Sequence, residues 1–171
     1  LRLSDLVILM GGVSVGDYDY VKDILREFGV RQILWKIRQK PGKPLYFGKR
    51  GQTFVFGLPG NPASVFTCFY EYVFPAIRLM LGFQNPYLKR ENVKLKAPVK
   101  HDLKRFLFVK GRIDQNGRYK VASPLHHQGS HMISSLQKAG GFILVPPGRG
   151  VIKKGEHVLM DLLPYQGDEV E

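Results

Sequence analysis

Five consecutive apolar residues, Leu6-Val7-Ile8-Leu9-Met10, precede a glycine-rich stretch, and the hydrophobic spacing changes after it. A short unbroken apolar run predicts a buried strand, whereas Val21, Ile24, Leu25 and Phe28 fall at i, i+3, i+4 and i+7 and predict one face of a helix. Gly29 is the expected C-terminal cap. Strands are expected over residues 33–37, 45–47 and 53–56, and a helix over 62–81. That helix is apolar nearly all round, which predicts burial, and Pro75 is expected to kink it or end its first part.

The pattern then shifts. Asn85-Pro86-Tyr87 marks a boundary, and the basic pair Lys89-Arg90 follows. Segments 105–113 and 119–122 flank Asp114-Gln115-Asn116-Gly117-Arg118, a strong hairpin signal. Two further strands are expected over 141–145 and 157–163, bounded by Pro146-Pro147-Gly148 and Lys154-Gly155-Glu156, with one short helix over 133–138. Strand–helix alternation followed by short strands predicts an α/β unit, residues 1–86, then a small all-β barrel-like domain of about five strands, residues 87–164. Residues 165–171 read as a disordered tail.

Composition narrows the class. The 171 residues are 44% hydrophobic and 12% aromatic, enough for a sizeable core. No apolar run approaches the ~20 residues that a membrane helix needs, and the start resembles no secretory signal. The single cysteine, Cys68, lies in the apolar helix and reads as a core residue rather than a nucleophile. These features predict a cytoplasmic protein. The net charge of +12 is spread through both halves; it favours phosphate-bearing or oxyanion ligands and also permits nonspecific nucleic-acid binding. No RNA-binding signature and no zinc-finger cysteine pattern accompanies it.

Three loops carry candidate chemistry. Gly11-Gly12-Val13-Ser14-Val15-Gly16-Asp17-Tyr18-Asp19 joins a strand to a helix; its glycines allow a sharp turn and close approach to a ligand. Asp17 and Asp19 stand where a metal ion would bridge protein and phosphate, although a turn and a helix cap also account for the loop. Lys40-Pro41-Gly42-Lys43-Pro44 sets two ammonium groups around a turn stiffened by proline, suited to an oxyanion, or equally to a solvated turn. Gly57-Leu58-Pro59-Gly60-Asn61-Pro62 opens the long helix, with Asn61 as N-cap and Pro62 at its first position. The segment His126-His127-Gln128-Gly129-Ser130-His131 lacks a cysteine or a nearby carboxylate, so a zinc site is disfavoured there.

Taken together and in this order, G-G-V-S-V-G-D-Y-D, K-P-G-K-P and G-L-P-G-N-P closely resemble the C-terminal half of the molybdopterin molybdenumtransferase family, which includes the E domain of gephyrin-type proteins. The resemblance runs from about Asp5 to Leu163. It implies part of a doubly wound, molybdopterin-binding α/β domain followed by a small β domain. It further implies insertion of molybdate into adenylylated molybdopterin, with Mg²⁺ assisting and AMP released. A T-G-D-E-L-like element that the family carries earlier has no counterpart here, so the chain reads as the C-terminal portion of a longer protein, inactive alone.

Carried over residue by residue, the resemblance implies catalytic roles for Asp19, Lys40 and Lys43, with Asp19 and then Asp17 as magnesium ligands. Cofactor contacts are implied for Gly11, Gly12, Ser14 and Gly16 in the first loop and for Pro44, through its backbone, in the second. Gly57, Pro59, Gly60, Asn61 and Ser64 are implied at the phosphate and nucleotide end, and Arg105 and Ser134 at the oxyanion. The family's Gly-Arg before the aromatic strand is Lys104-Arg105 here, and a later basic residue is Lys110. Family members form homodimers, and a gephyrin-type scaffold without chemistry is the alternative. No membrane and no specific nucleic-acid partner is implied.

Overall fold

The computed structural model describes residues 4–12, 20–116, 119–125 and 136–164. Strand β1 (Leu6–Met10) leads to helix α1 (Val21–Glu27), and then come β2 (Arg31–Trp35), β3 (Gln39–Lys40), β4 (Tyr46–Arg50) and β5 (Thr53–Leu58). Gly29, at φ +73°, turns the chain out of α1, and its N–H donates to Arg26 O at 2.9 Å. Leu25 packs into a cluster with Val30, Tyr46 and Val55, whereas Ile24 and Phe28 on the same predicted face are exposed. The next strand begins two residues earlier than its apolar pattern suggests and stops at Trp35, because Lys36 adopts φ +65°.

Strands β1, β2, β4 and β5 form a mixed sheet of order β1-β5-β4-β2, with β1 and β5 parallel and the other pairs antiparallel. The parallel pairing aligns Met10 with Leu58, so the loops after β1 and β5 leave the sheet at the same edge. Such an edge, at the carboxyl ends of parallel strands, is where open α/β sheets bind ligands.

The predicted long helix is present in three pieces: α2 (Pro62–Cys68), a π-helical turn (Phe69–Val73) and α3 (Phe74–Met80). The irregularity lies ahead of Pro75 rather than at it. A proline in place lacks the N–H that would bond one turn back, and the widened turn absorbs that mismatch before the chain reaches the ring. Burial is incomplete as well. Cys68, Val73 and Pro75 are enclosed, while Leu79, Met80 and Leu81 at the end of the segment are exposed.

Beyond it lie β6 (Lys89–Leu95), β7 (Val99–Lys100), β8 (Phe106–Asn116), β9 (Tyr119–Pro124), β10 (Gly141–Val145), β11 (Val151–Ile152) and β12 (His157–Leu162). Pairings β10-β12-β6-β9-β8, closed by β8 against β10, make a five-stranded barrel, and β7 pairs with β11 beside it. The fold is thus α/β followed by a small β-barrel. Strand β6 is the barrel member that the sequence disguised as a basic stretch; its alternation becomes visible only at Val93 and Leu95, which point inward. The hairpin pairs as expected, Asn116 opposite Tyr119. Of the predicted 133–138 helix, Leu136, Gln137 and Lys138 fall among the described residues; the first two are helical and Lys138 lies in a turn. The tail, 165–171, lies outside them.

Two contacts tie the halves together. Strand β3 adds in parallel to β8, Gln39 opposite Phe106 and Lys40 opposite Leu107. Phe66, Tyr70 and Phe74 of the helical segment pack on a cluster with Phe142, Leu144 and Leu163 of the barrel. Among the described residues no helix is long and apolar enough to cross a membrane.

Candidate functional site

The helical segment that starts at Pro62 is the hub on which the loops meet. Asn61 caps it: its side-chain oxygen accepts from Ala63 N–H at 3.1 Å, and Pro62 takes the first helical position. Gly11, at φ +86°, donates its N–H to Leu58 O at 2.9 Å. A methyl group on Gly60 would lie 3.6 Å from Gly11 Cα, so the first and third loops lie backbone against backbone. Gly11 suits its place through its left-handed φ, which residues other than glycine seldom adopt.

The lysine loop reaches the same helix from the side. Gly42, at φ +88°, is buried against Cys68 and Ser64 O, about one turn along from Asn61. Lys40 and Lys43 on either side of it have exposed side chains. Backbone bonds from Ile37 N to Lys43 O (2.9 Å) and from Leu45 N to Lys43 O (3.0 Å) close the loop at its base. The Lys40–Pro41 peptide is cis.

Three polar groups hold the loop to the helix. The Gln39 side chain is 1% exposed; its Nε2 donates to Pro41 O at 3.1 Å and Gly42 O at 3.4 Å and meets Cys68 Sγ at 3.7 Å. Cys68 Sγ–H donates to Gly42 O at 3.7 Å, and the Tyr72 hydroxyl donates to Gln39 Oε1. Burial pushes the Cys68 thiol up to about 12, with the Glu71 charge adding to it, and raises the Tyr72 hydroxyl as well. Cys68 is therefore a buried, protonated thiol and no nucleophile. Its core reading from the sequence stands, whereas Gln39 and Tyr72 carry no sequence signal beyond a polar residue beside Lys-Pro and an i, i+4 spacing from Cys68.

Arg105 sits at the entrance to β8, beside the start of the lysine loop: Phe106 N donates to Arg38 O at 2.9 Å. Its guanidinium makes two bonds to Asp102 Oδ2, 2.6 and 2.9 Å, and Asp102 Oδ1 accepts from the Lys104 and Arg105 N–H groups. Those hydrogen bonds, the guanidinium's foremost, hold the Asp102 carboxyl down at about 2. Lys110, 2% exposed, lies on the outer face of β8 opposite Phe142, since its neighbours Val109 and Ile113 are the residues of β8 that pack into the barrel; burial lowers its affinity for a proton.

Of the sequence-predicted residues, Gly11 and Gly60 meet beside the Asn61 cap, and Gly42 lays the loop that carries Lys40, Lys43 and Pro44 against Ser64 of the same helix; Gly12 follows Gly11, and Gly57 and Pro59 precede Gly60, in the same segments. Arg105 lies alongside through its backbone. Ser14, Gly16, Asp17, Asp19, Ser134 and the histidine segment 126–131 lie outside the described residues. Within those that are described, no group of three or more His, Cys, Asp or Glu is placed to hold a metal ion.

A cavity of about 550 Å³ opens beside Gly60, walled by Met10, Pro62, Phe66, Phe69 and Tyr70. It flanks the helical segment on a different side from Ser64 and Cys68, meeting the loops only at the helix start. A glycine loop and a helix start next to apolar aromatic walls can take a ligand with an anionic group and a flat ring portion.

A parallel strand pair with glycine loops at its carboxyl edge, a helix start between them and a lysine loop packed along that helix define an open α/β protein with the sheet edge at which such folds bind ligands. Residues 1–79 match the family described as a probable molybdopterin binding domain, and residues 92–163 match the MoeA C-terminal region, domain IV. A molybdopterin molybdenumtransferase of Haemophilus influenzae is 38% identical over 92% of this chain and 39% of its own length. The molybdenum cofactor synthesis protein cinnamon of Drosophila melanogaster is 36% identical over 91% of this chain and 26% of its own. The solved structure of a molybdopterin biosynthesis MoeA protein from Pyrococcus horikoshii superposes with a TM-score of 0.75 at 26% identity, covering 94% of this chain and 38% of that one. The chain belongs to the molybdopterin molybdenumtransferase family, and it spans about two fifths, or less, of the length of these relatives.

Proposed function

We infer that this chain holds the anionic ends of adenylylated molybdopterin and of molybdate during insertion of molybdenum and release of AMP. The carrying observation is that the Gly11 and Gly60 loops touch at one helix start while the lysine loop, with two exposed lysines, packs through Gly42 on Ser64 and Cys68 of the same helix. Two anions must be brought together, and fixed cations with oriented backbone N–H groups offset their repulsion more effectively than mobile water does.

Lys40 and Lys43 act as point charges on the oxyanion, with Pro44 contributing its backbone. Gly57, Pro59 and Gly60 shape the phosphate seat, and Ser64 stands one turn along the same helix. The Asn61 side chain is engaged in capping, so its contribution is the shape of the loop. Arg105 and Ser134 are assigned to the oxyanion from the barrel side, and Gly11, Gly12, Ser14 and Gly16 to the cofactor. Asp19, then Asp17, are the residues assigned to a magnesium ion, whose chemistry when bound is to polarise the phosphoanhydride. Turnover belongs to the longer homodimeric protein in this proposal, and ligand grip belongs to this chain.

The test is AMP release from adenylylated molybdopterin with molybdate and Mg²⁺, measured beside Lys40→Ala/Lys43→Ala. Release that the double variant abolishes supports the grip but overturns the assignment of turnover to the longer protein, placing the chemistry in the chain itself. Ligand binding without release, lost in the variant, establishes the grip alone. Neither release nor binding refutes the proposal.

A further inference from the structure

Between the two lysines stand the carbonyls of Pro41 and Gly42. A carbonyl oxygen is the negative end of a peptide dipole, so carbonyls turned toward the lysines would repel the oxyanion that the lysines attract. Both are instead directed inward, onto one buried amide: Gln39 Nε2 lies 3.1 Å from Pro41 O and 3.4 Å from Gly42 O. In a trans peptide the N–H points opposite to the C=O. Pinning Pro41 O and Gly42 O inward therefore turns the N–H groups of Gly42 and Lys43 outward, where successive amides favour an anion.

We propose that Gln39, oriented by Tyr72 and seconded by Cys68, is a positioning latch that sets the polarity of the lysine loop. The proposal rests on the reading of that loop as an oxyanion grip. The geometry of the latch is over-determined. Two carbonyls require the amide nitrogen of Gln39 on their side, which leaves Oε1 for the Tyr72 hydroxyl donor. Cys68 Sγ–H offers Gly42 O a second donor. Gly42 itself has no space for a side chain: a methyl there would overlap Cys68 Sγ and approach Gln39 Nε2 to 2.8 Å. Gln39 and Cys68 are buried and Tyr72 is half-buried; the three act through the backbone between the lysines rather than by touching the oxyanion.

Tyr72 belongs to the π-helical turn Phe69–Val73. The wide turn advances Tyr72 relative to a regular helix and brings its hydroxyl onto Gln39, which gives that turn a functional role as well as a structural one. π-helical turns are frequent at functional sites.

The experiment uses inorganic molybdate as the probe, titrated into wild type, Lys40→Ala/Lys43→Ala, Tyr72→Phe and Gln39→Ala. Hydrogen exchange over residues 38–46 and thermal melts accompany the titrations. Tyr72→Phe keeps the volume of the ring and serves where Gln39→Ala fails to fold. Cys68→Ser, which keeps a donor to Gly42 O, is the conservative control. The expected result is lysine-dependent binding that weakens about tenfold in Tyr72→Phe and in Gln39→Ala, the change in affinity of a little over one hydrogen bond. Exchange should rise in 38–46 but not in β5, and Cys68→Ser should stay near wild type. Lysine-dependent binding that both latch variants leave unchanged overturns the latch while leaving the grip intact. Binding indifferent to the lysines overturns the grip; exchange then decides the latch, and unaltered exchange in the variants overturns that too.

Discussion

Glu71 lies in the π-helical turn at the junction of the α/β part and the barrel, and replacing it by Gln should make the protein more stable at pH 8. Its Oε1 is buried and meets no hydrogen-bond partner among the described residues. Burial is the main cause that pushes the carboxyl up to about 8, and the Asp161 charge adds to it. Arg90 opposes the rise only partly, because its guanidinium is engaged by Asp161 through bonds of 2.6 and 2.8 Å. In the unfolded chain Glu71 loses its proton around the ordinary 4.5, whereas the folded chain keeps it until about 8. Between those values the folded state binds the extra proton, so stability is fullest below 4.5, falls as pH rises, and levels off above 8. At about 1.36 kcal/mol per pH unit the full effect is on the order of 5 kcal/mol. Water entry and relaxation at the junction reduce it to about 2–3 kcal/mol. Gln cannot ionise and keeps the shape. Urea unfolding of both proteins at pH 5, 6, 7 and 8 should show the variant gaining on wild type across that range. A difference that does not change with pH, or a variant less stable at pH 8, refutes the account of Glu71.

Three further outcomes follow from the same junction, the barrel and the site. Arg90→Ala leaves Asp161, whose side chain is 3% exposed, without its counter-ion; the expected loss is about 2–4 kcal/mol, reduced from a fully buried pair because Arg90 is half exposed, and it should shrink when Asp161→Asn is added. Phe142, 0% exposed and in edge contact with Phe66 across the two halves and with Phe108 within the barrel, should cost about 3–5 kcal/mol when replaced by Ala, read from chemical denaturation. The Asp102 carboxyl should titrate at about 2 by NMR and move back toward the ordinary carboxylate range in Arg105→Ala; an unmoved midpoint would show that the guanidinium is not what holds it down.

Much of the fold was legible because periodicity and punctuation agreed. Leu6–Met10 is a strand, though at the end of its sheet with Ile8 and Met10 exposed rather than buried; Gly29 caps α1, and Asn61-Pro62 starts the helical segment where capping chemistry requires. What stayed hidden depended on long-range pairing. Lys89–Leu95 begins with Lys-Arg-Glu-Asn and looks like a solvated link, yet β12 and β9 on either side make it a barrel strand. Gln39–Lys40 is too short for any pattern and exists as a strand because β8 lies beside it. The lengthened turn at Phe69–Val73 likewise reflects the accommodation of Pro75 and the packing of Tyr72, not local propensity. At the site, the glycine and lysine motifs declared themselves, since strained or cationic loops have distinctive compositions. The latch beneath them did not, because a glutamine, a tyrosine and a cysteine acquire their meaning only when folding places them around the same two carbonyls.

The central claim is that Lys40, Lys43 and the loops around the helix start grip an anionic pterin nucleotide. The most direct measurement is a calorimetric titration of adenylylated molybdopterin into wild type and Lys40→Ala/Lys43→Ala, with matched thermal melts. The account requires binding that weakens by at least about tenfold in the double variant, as loss of charge-assisted contacts entails, with the fold intact. Equal affinity in the two proteins would contradict it.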